Sequence, residues 1–218
     1  MREALSDFYF NSWRLVPANV VWGGLLLLVI TAAAFWLPLA ALSALLAVPV
    51  AGIYRMAALI QRGEAVGFAD FISGMRQFAG PALALGVLAV VLGTVLTANI
   101  FIGLEVGSLL GWVFSAFALY GNIGLAMFLV AAWPIIVDPL RQEVPLRKRL
   151  WLAVVLNFAR PVRMFVLTAV LVALLVVSTV LLAALLTISL AYISLVATRY
   201  VLPAIDRLER RPTVPVEE

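Results

Sequence analysis

Long apolar runs with almost no charge restrict most strongly how this chain can fold. The last run, Pro161 to Leu202, contains about 42 residues, whereas one membrane-spanning helix needs about 20. The whole chain is 65% hydrophobic and only 12% charged, with a mean hydropathy of +1.14. A soluble domain is about half apolar and a quarter charged. The runs therefore predict an integral membrane protein whose surroundings are the lipid bilayer.

The apolar runs divide into six spans that pair as three hairpins. The breaks lie at Pro38, at Glu105 and near Thr187. The predicted fold is all-α, a single polytopic membrane domain with six transmembrane helices. The predicted spans cover residues 17–37, 39–60, 81–104, 107–137, 162–184 and 187–203, and residues 205–218 form a polar C-terminal tail.

The basic residues predict the orientation of the six spans. None of the three turns at Pro38, Glu105 and Thr187 contains any of the fifteen Lys and Arg residues. Basic residues concentrate on the cytoplasmic side of a membrane protein. We therefore expect a bacterial inner (cytoplasmic) membrane protein with both termini in the cytoplasm. A chain with five spans would instead leave Arg199, Arg207, Arg210 and Arg211 outside.

Three short segments with aromatic residues precede the first, third and fifth spans. Each contains an arginine and is closed by a proline, at Pro17, Pro81 or Pro161, a residue that is well tolerated in the first turn of a helix. The pattern predicts a short interfacial helix before each hairpin. In the middle segment, 68–78, the apolar residues share one helical face. That face either turns toward acyl chains or packs on the protein's own spans.

Several kinds of chemistry are excluded by residue type. The chain has no cysteine and no histidine, which rules out disulfides, Cys/His zinc sites and histidine-based catalytic triads. We predict no catalytic residue, no cofactor and no metal site, and hence no enzyme. The basic residues flank apolar spans and do not form one stripe, so nucleic acid is not an expected partner.

Uncharged polar residues in the third and fourth spans suggest a ligand pocket. Its candidate residues are Thr94, Thr97, Tyr120 and Asn122. The alternative is that these side chains form hydrogen bonds between helices. The fourth span is also long, about 46 Å if helical, and Gly121 to Gly124 lie near its middle. These glycines mark an unwound break, a close helix crossing or part of a tilted helix that leaves the bilayer.

A basic cluster lies between the fourth and fifth spans. Topology alone explains such a cluster, and contact with anionic lipid headgroups is the second interpretation. The candidate lipid contacts are Arg147, Lys148, Arg149, Arg160 and Arg163.

Three features of the first part of the chain carry a family resemblance. Asn19-Val20-Val21-Trp22, Pro49 and the segment Phe68 to Phe71 resemble the YesL-like family of bacterial membrane proteins, over about residues 8–90. That family is defined by a domain of unknown function and has no established catalytic residues. Some members are similar in setting to carbohydrate-uptake systems, which implies an auxiliary role beside a transport or sensor complex.

Two functions are therefore predicted. The first is a non-enzymatic integral membrane protein that is an accessory to a solute (carbohydrate) uptake or signalling system. The alternative is a small solute transporter with an uncharged polar pocket between spans three and four.

Overall fold

The computed structural model describes residues 2–209, and within them every regular element is helical. Six of these helices are long and apolar enough to cross a membrane, which confirms the predicted all-α membrane fold. In chain order the helices are α1 (Arg2–Phe35), α2 (Leu37–Gln61), α3 (Phe68–Gln77), α4 (Ala79–Val106), α5 (Leu109–Val137), α6 (Leu146–Ala159), α7 (Pro161–Val180) and α8 (Leu182–Glu209).

The six long helices, which are all except α3 and α6, alternate in direction. The basic residues that flank them lie at one end of the bundle. We call the end where α1 begins and α2, α5 and α8 finish the basic end. The described Lys and Arg residues lie at or near it, whereas the turns of the opposite end contain none. Gly107 closes α4 in the left-handed conformation (φ 64°), and the Ser108 hydroxyl accepts a hydrogen bond from the Gly111 N–H at 3.2 Å to begin α5.

Helix α8 is the centre of the bundle, and the α4–α5 hairpin is its periphery. In the most apolar stretch of α8, 56% of the residues are buried, against 11% in α4 and in α5. Many of the largest fully buried side chains come from the parts of α2, α5 and α8 nearest the basic end: Ile53, Met56, Ile135, Ile136, Leu195, Leu202 and Ile205. The well-packed core therefore lies toward the basic end, and much of the opposite half faces lipid.

The predicted interfacial helix before the first span is not separate. Helix α1 runs without interruption through Pro17. A proline inside a helix removes one backbone hydrogen bond, but Leu15, Ala18 and Asn19 beside it are fully buried. These residues lie on a helix that packs on α8, and this packing holds the helix together across the proline.

The middle segment, residues 68–78, packs on the protein's own spans. It forms α3, whose Phe71 is fully buried. A Cβ on Gly52 of α2 would lie 2.7 Å from the Phe71 ring, and a Cβ on Gly74 would lie 2.9 Å from the Arg55 side chain. Glycine at both positions lets the two helices cross closely. Of the two interpretations of this segment, the structure shows packing on its own spans.

Two further boundaries differ from the sequence prediction, and one open question is settled. The turn between the fifth and sixth spans lies at Leu181, between α7 and α8, and not near Thr187, which lies inside α8. Helix α5 is continuous from Leu109 to Val137, so there is no break at Gly121 to Gly124. Gly121 instead approaches α4, where its Cβ would lie 2.8 Å from a Leu96 methyl group. Helix α8 continues to Glu209, five residues into the predicted polar tail, because Asp206 and Glu209 pair with arginines of the bundle. The remainder of the predicted tail, residues 210–218, lies outside the described residues.

Candidate functional site

The predicted polar pocket between α4 and α5 is only partly assembled. The Asn122 amide donates a long hydrogen bond, 3.5 Å, to the Thr97 hydroxyl. Thr94 is exposed, and Tyr120 is 71% exposed on the outside of α5. None of these four residues lines any of the four cavities described below. The Asn122–Thr97 contact therefore corresponds to the alternative interpretation, a hydrogen bond between neighbouring helices.

A cluster of ion pairs at the basic end is the most highly organised polar feature of the described chain. Asp138, which follows α5 directly, is fully buried. The Arg62 guanidinium donates two hydrogen bonds to the Asp138 carboxylate, from Nε at 3.1 Å and from Nη2 at 2.7 Å. Arg141 donates to the same carboxylate from three residues further along. Two-pronged arginine–carboxylate pairs of this kind fix geometry as well as charge.

The same two arginines extend to the last turn of α8. Arg62 donates to Asp206 at 2.7 Å. Arg141 donates to Asp206 at 2.6 Å and to Glu209 at 2.5 Å. The ion-pair cluster, defined as Arg62, Asp138, Arg141, Asp206 and Glu209, therefore ties together the ends of α2, α5 and α8.

The electrostatics of the cluster favour its charged form. Burial alone would lower the pKa of Arg62, but the hydrogen bonds that it donates to Asp206 and Asp138 outweigh burial, so the pKa lies above its ordinary value. The pKa of Arg141 is raised in the same way, mainly through Glu209 and Asp206. A cavity of about 300 Å³ lies beside the cluster. Among the described residues, no group of three acidic side chains is arranged to hold a metal ion.

Two more arginines cap the end of α5. The last carbonyl groups of a helix have no partner within it. Here Arg55 donates to the Val137 carbonyl at 2.9 Å, and Arg149 donates to the Ile136 carbonyl at 2.5 Å. Arg149 is buried, and burial lowers its pKa from the ordinary value. The structure therefore gives Arg149 a backbone partner within the protein in place of the predicted contact with lipid headgroups.

Asn19 forms a second organised site deep in the bundle. Helix α8 contains one π-helical turn, Leu185–Ser189, and such turns leave backbone groups out of register. The Asn19 amide donates to the Leu185 carbonyl at 3.2 Å, and its oxygen accepts the Ala191 N–H at 2.9 Å. One turn further along α1, Gly23 allows close approach, because a Cβ there would lie 2.7 Å from the Leu186 carbonyl oxygen. The first residue of the Asn-x-x-Trp pattern is therefore an amide clamp on α8.

Sequence reasoning missed the ion-pair cluster, although part of its signal was present. Asp206 and Glu209 are three residues apart, which places them on one face of a helix. Asp138 follows an apolar span directly and precedes Pro139. The pattern did not indicate that Arg62, which lies 76 residues from Asp138, meets both elements.

Comparison with known proteins gives no relative. No protein-family model matches the chain, and no curated protein or solved structure matches it. Its function is therefore argued from the geometry of these sites.

Proposed function

We propose that this protein is a non-enzymatic, YesL-like accessory subunit of a bacterial solute (carbohydrate) uptake or signalling system. The observation that supports this role most is the ion-pair cluster, which joins the ends of α2, α5 and α8 through directly paired charges. Together with the Asn19 clamp between α1 and α8, it makes the centre of the bundle one rigid unit. A rigid unit is suited to holding a partner, whereas a carrier must alternate between arrangements.

Three polar groups within the spans support the same role. Thr31 donates to the Leu27 carbonyl, Asn99 to the Val95 carbonyl, and Thr179 to the Val176 carbonyl. Each hydroxyl or amide is thus bonded to its own helix. A solute pathway needs polar side chains from different helices that converge on one cavity, and these side chains do not converge.

The α4–α5 hairpin is the surface we assign to the partner. The two helices pack more extensively on each other than on any other single helix, and their outer faces expose large side chains such as Phe101, Trp112, Phe114 and Phe117. In a bilayer such a face meets either lipid or another membrane helix. An accessory protein needs a lateral surface of this kind.

For this role we propose that the protein lies in the bacterial inner (cytoplasmic) membrane, with both termini in the cytoplasm. The support is the concentration of Lys and Arg at the basic end, which is the cytoplasmic end of most membrane proteins. A reporter enzyme that is active only in the cytoplasm, fused after Glu218, is expected to be active. An inactive reporter together with an active periplasmic one at the same position would reverse the orientation.

Affinity purification in mild detergent tests the accessory role. We expect permease subunits or a sensor kinase to co-purify with the wild-type protein. Ala98→Trp adds bulk to the exposed face of α4 and should lose that partner. Ala169→Trp makes the same change on the exposed face of α7 and should keep it.

Two results would contradict the proposal. One is loss of the partner from both tryptophan variants alike, because the surface would then not be the α4–α5 hairpin. The other is solute uptake by the purified chain alone in sealed vesicles, since that activity belongs to a transporter.

A further inference from the structure

The basic residues of this protein fall into two groups with different surroundings. Arg62, Arg141 and Arg199 pair with carboxylates, and Arg55 and Arg149 donate to backbone carbonyls. By contrast, four cations around α6 have no carboxylate partner among the described residues: Arg147, Lys148, Arg160 and Arg163. Arg14, Arg76 and Arg207 also have no carboxylate partner among the described residues, but they are spread over α1, α3 and α8, whereas these four lie within α6 and directly after it.

These four cations line one groove on the side of the bundle. A cavity of about 690 Å³ is bordered by Arg147 and Lys148, and a second of about 300 Å³ adjoins it through the shared residues Phe128 and Val154. A third, of about 390 Å³, adjoins the second through Pro161 and is bordered by Arg160 and Arg163. The lining of the groove contains no acidic residue.

Between its basic ends the groove is apolar and aromatic. Trp151 is 63% exposed and Phe158 is 83% exposed, although both are large apolar side chains. Exposed tryptophan beside basic residues is typical of the membrane–water interface. Gly124 of α5 borders the middle cavity, and no atom lies within 4 Å of where its Cβ would be, so the groove is open there.

The packing of α6 places this groove within reach of lipid. Arg149 bonds to the Ile136 carbonyl and Asn157 to the Met127 carbonyl, so α6 runs antiparallel along the last turns of α5. Helix α5 has 29 residues, about 43 Å at 1.5 Å per residue. A bilayer is about 30 Å thick in its hydrocarbon core and about 40 to 45 Å with its headgroups. With α5 centred across the bilayer, its last turn near Ile136 lies at headgroup depth, and the part near Met127 reaches into the hydrocarbon core.

We propose that the groove between α5 and α6 is a binding site for one anionic phospholipid. Its phosphate lies between Arg147 and Lys148, at the cavity of about 690 Å³. One acyl chain follows Phe128 and Val154 toward Gly124, and therefore toward the middle of the bilayer. Arg149 takes no part, because the α5 carbonyl already binds it. The proposal concerns the lipid contacts of the protein and is independent of its proposed accessory role.

Quenching of Trp151 by brominated lipid tests the site in the full-length protein. The protein is reconstituted into phosphatidylcholine vesicles that contain equal fractions of either brominated phosphatidylglycerol or brominated phosphatidylcholine with identical chains. The chain has six tryptophans, so the Trp151 signal is the part that Trp151→Phe removes. We expect phosphatidylglycerol to quench this signal more strongly.

Charge variants locate the phosphate. The double change Arg147→Gln and Lys148→Gln should reduce the preference for phosphatidylglycerol roughly tenfold or more, from the attraction of an anionic membrane for each basic residue. Arg76→Gln removes an exposed cation at the same end, on α3, and should keep the preference. The double change Arg160→Gln and Arg163→Gln should have the smaller effect of the two pairs.

Four results would overturn the proposal. An unchanged preference in the Arg147/Lys148 variant removes the phosphate site, and an equal loss in Arg76→Gln shows general surface charge only. A larger loss in the Arg160/Arg163 variant reverses the direction of the lipid. Displacement by inorganic phosphate beyond that of sodium chloride at equal ionic strength shows a site for free anions. The unfolding temperature of each variant confirms its fold, because these cations have no ion pair to lose.

Discussion

The side-chain oxygen of Asn19 accepts the backbone N–H of Ala191 at 2.9 Å, across 172 residues of sequence. The amide nitrogen of the same side chain donates to the Leu185 carbonyl, so one asparagine bridges both sides of the π-helical turn. A buried backbone group without a partner is costly, and lipid offers none. Asn19 therefore makes the irregular turn of α8 tolerable within the bundle.

Removal of this clamp should destabilise the protein. Asn19→Ala deletes two buried hydrogen bonds and leaves the Ala191 N–H without its partner, at a cost of about 1 to 3 kcal/mol. Thermal unfolding in detergent, followed by size-exclusion chromatography, measures the change. Asn99→Ala is the matched control, because Asn99 is exposed and bonds only to the Val95 carbonyl of its own helix. If the two variants unfold at the same temperature, the clamp contributes nothing.

The ion-pair cluster should depend on the charge of Asp138. Asp138→Asn keeps the shape of the side chain but leaves Arg62 and Arg141 around a neutral amide. Loss of one partner from a buried ion pair costs about 3 to 5 kcal/mol. We expect the lower end of that range, because the side chain of Arg62 is still 16% exposed.

A control and a double variant separate this interaction from a general effect of charge. Glu143→Gln removes an exposed acid from the same connection and should leave the unfolding temperature unchanged. Arg62→Ala combined with Asp138→Ala should be less destabilised than the sum of the two single changes, since residues in one ion-pair network couple. Strict additivity would mean that the pair is not energetically coupled.

The contribution of Arg62 should be constant at alkaline pH. Its pKa and that of Arg141 are raised. A raised basic pKa gives stability that is fully present below the unfolded-state value and is lost only as the pH rises through the folded-state value. Both values lie far above pH 10 for arginine. The difference in unfolding temperature between wild type and Arg62→Gln should therefore be equal at about pH 7 and pH 10. A difference that shrinks toward pH 10 would assign the stabilisation to another titrating group.

The sequence was sufficient for the helices because lipid imposes a simple rule on them. Every span must be long, apolar and internally hydrogen-bonded, and these properties can be counted along the chain. The turns near Pro38 and Glu105 lie where the counted runs end. The continuity of α1 through Pro17 was not predictable in this way, because it depends on how deeply Leu15 and Ala18 pack.

The organised polar sites were harder to predict because they join distant positions. Asn19 was visible as a polar residue within a span, but nothing local indicates that its partners lie on α8. Arg62 and Asp138 each look like ordinary flanking charges, and only the arrangement of α2 against α5 makes them a pair. Conversely, two neighbouring apolar spans contain the four candidate pocket residues, Thr94, Thr97, Tyr120 and Asn122. The rotation of α5 nevertheless places Tyr120 away from the α4–α5 contact. Facing directions depend on packing, which a single sequence does not state.

Asn122 offers the sharpest test between the accessory and transporter hypotheses. Its amide lies in the middle of α5 and reaches only the Thr97 hydroxyl, at 3.5 Å. If this contact only joins two helices, Asn122→Ala should lower stability by no more than about 1 kcal/mol. Thr97→Val should have the same effect, and the double variant should be no worse than either single one, because both lose the same bond. Thermal unfolding of the wild type and the three variants completes this double-mutant cycle.

The same variants must also leave the partner contact unchanged. If Asn122 and Thr97 serve only the α4–α5 hairpin, both variants should still co-purify with the partner that Ala98→Trp loses.

The transporter hypothesis makes a different prediction, since a solute bound by Asn122 would raise the unfolding temperature of wild type and not of Asn122→Ala. Screening a panel of neutral sugars by thermal unfolding measures this shift. A sugar that stabilises wild type by several degrees and leaves Asn122→Ala unaffected would establish a binding site between α4 and α5 and would overturn the accessory proposal there. We expect equal unfolding temperatures with and without every sugar, because Asn122 lines none of the four described cavities, which lie beside α6, at the start of α7 and at the ion-pair cluster.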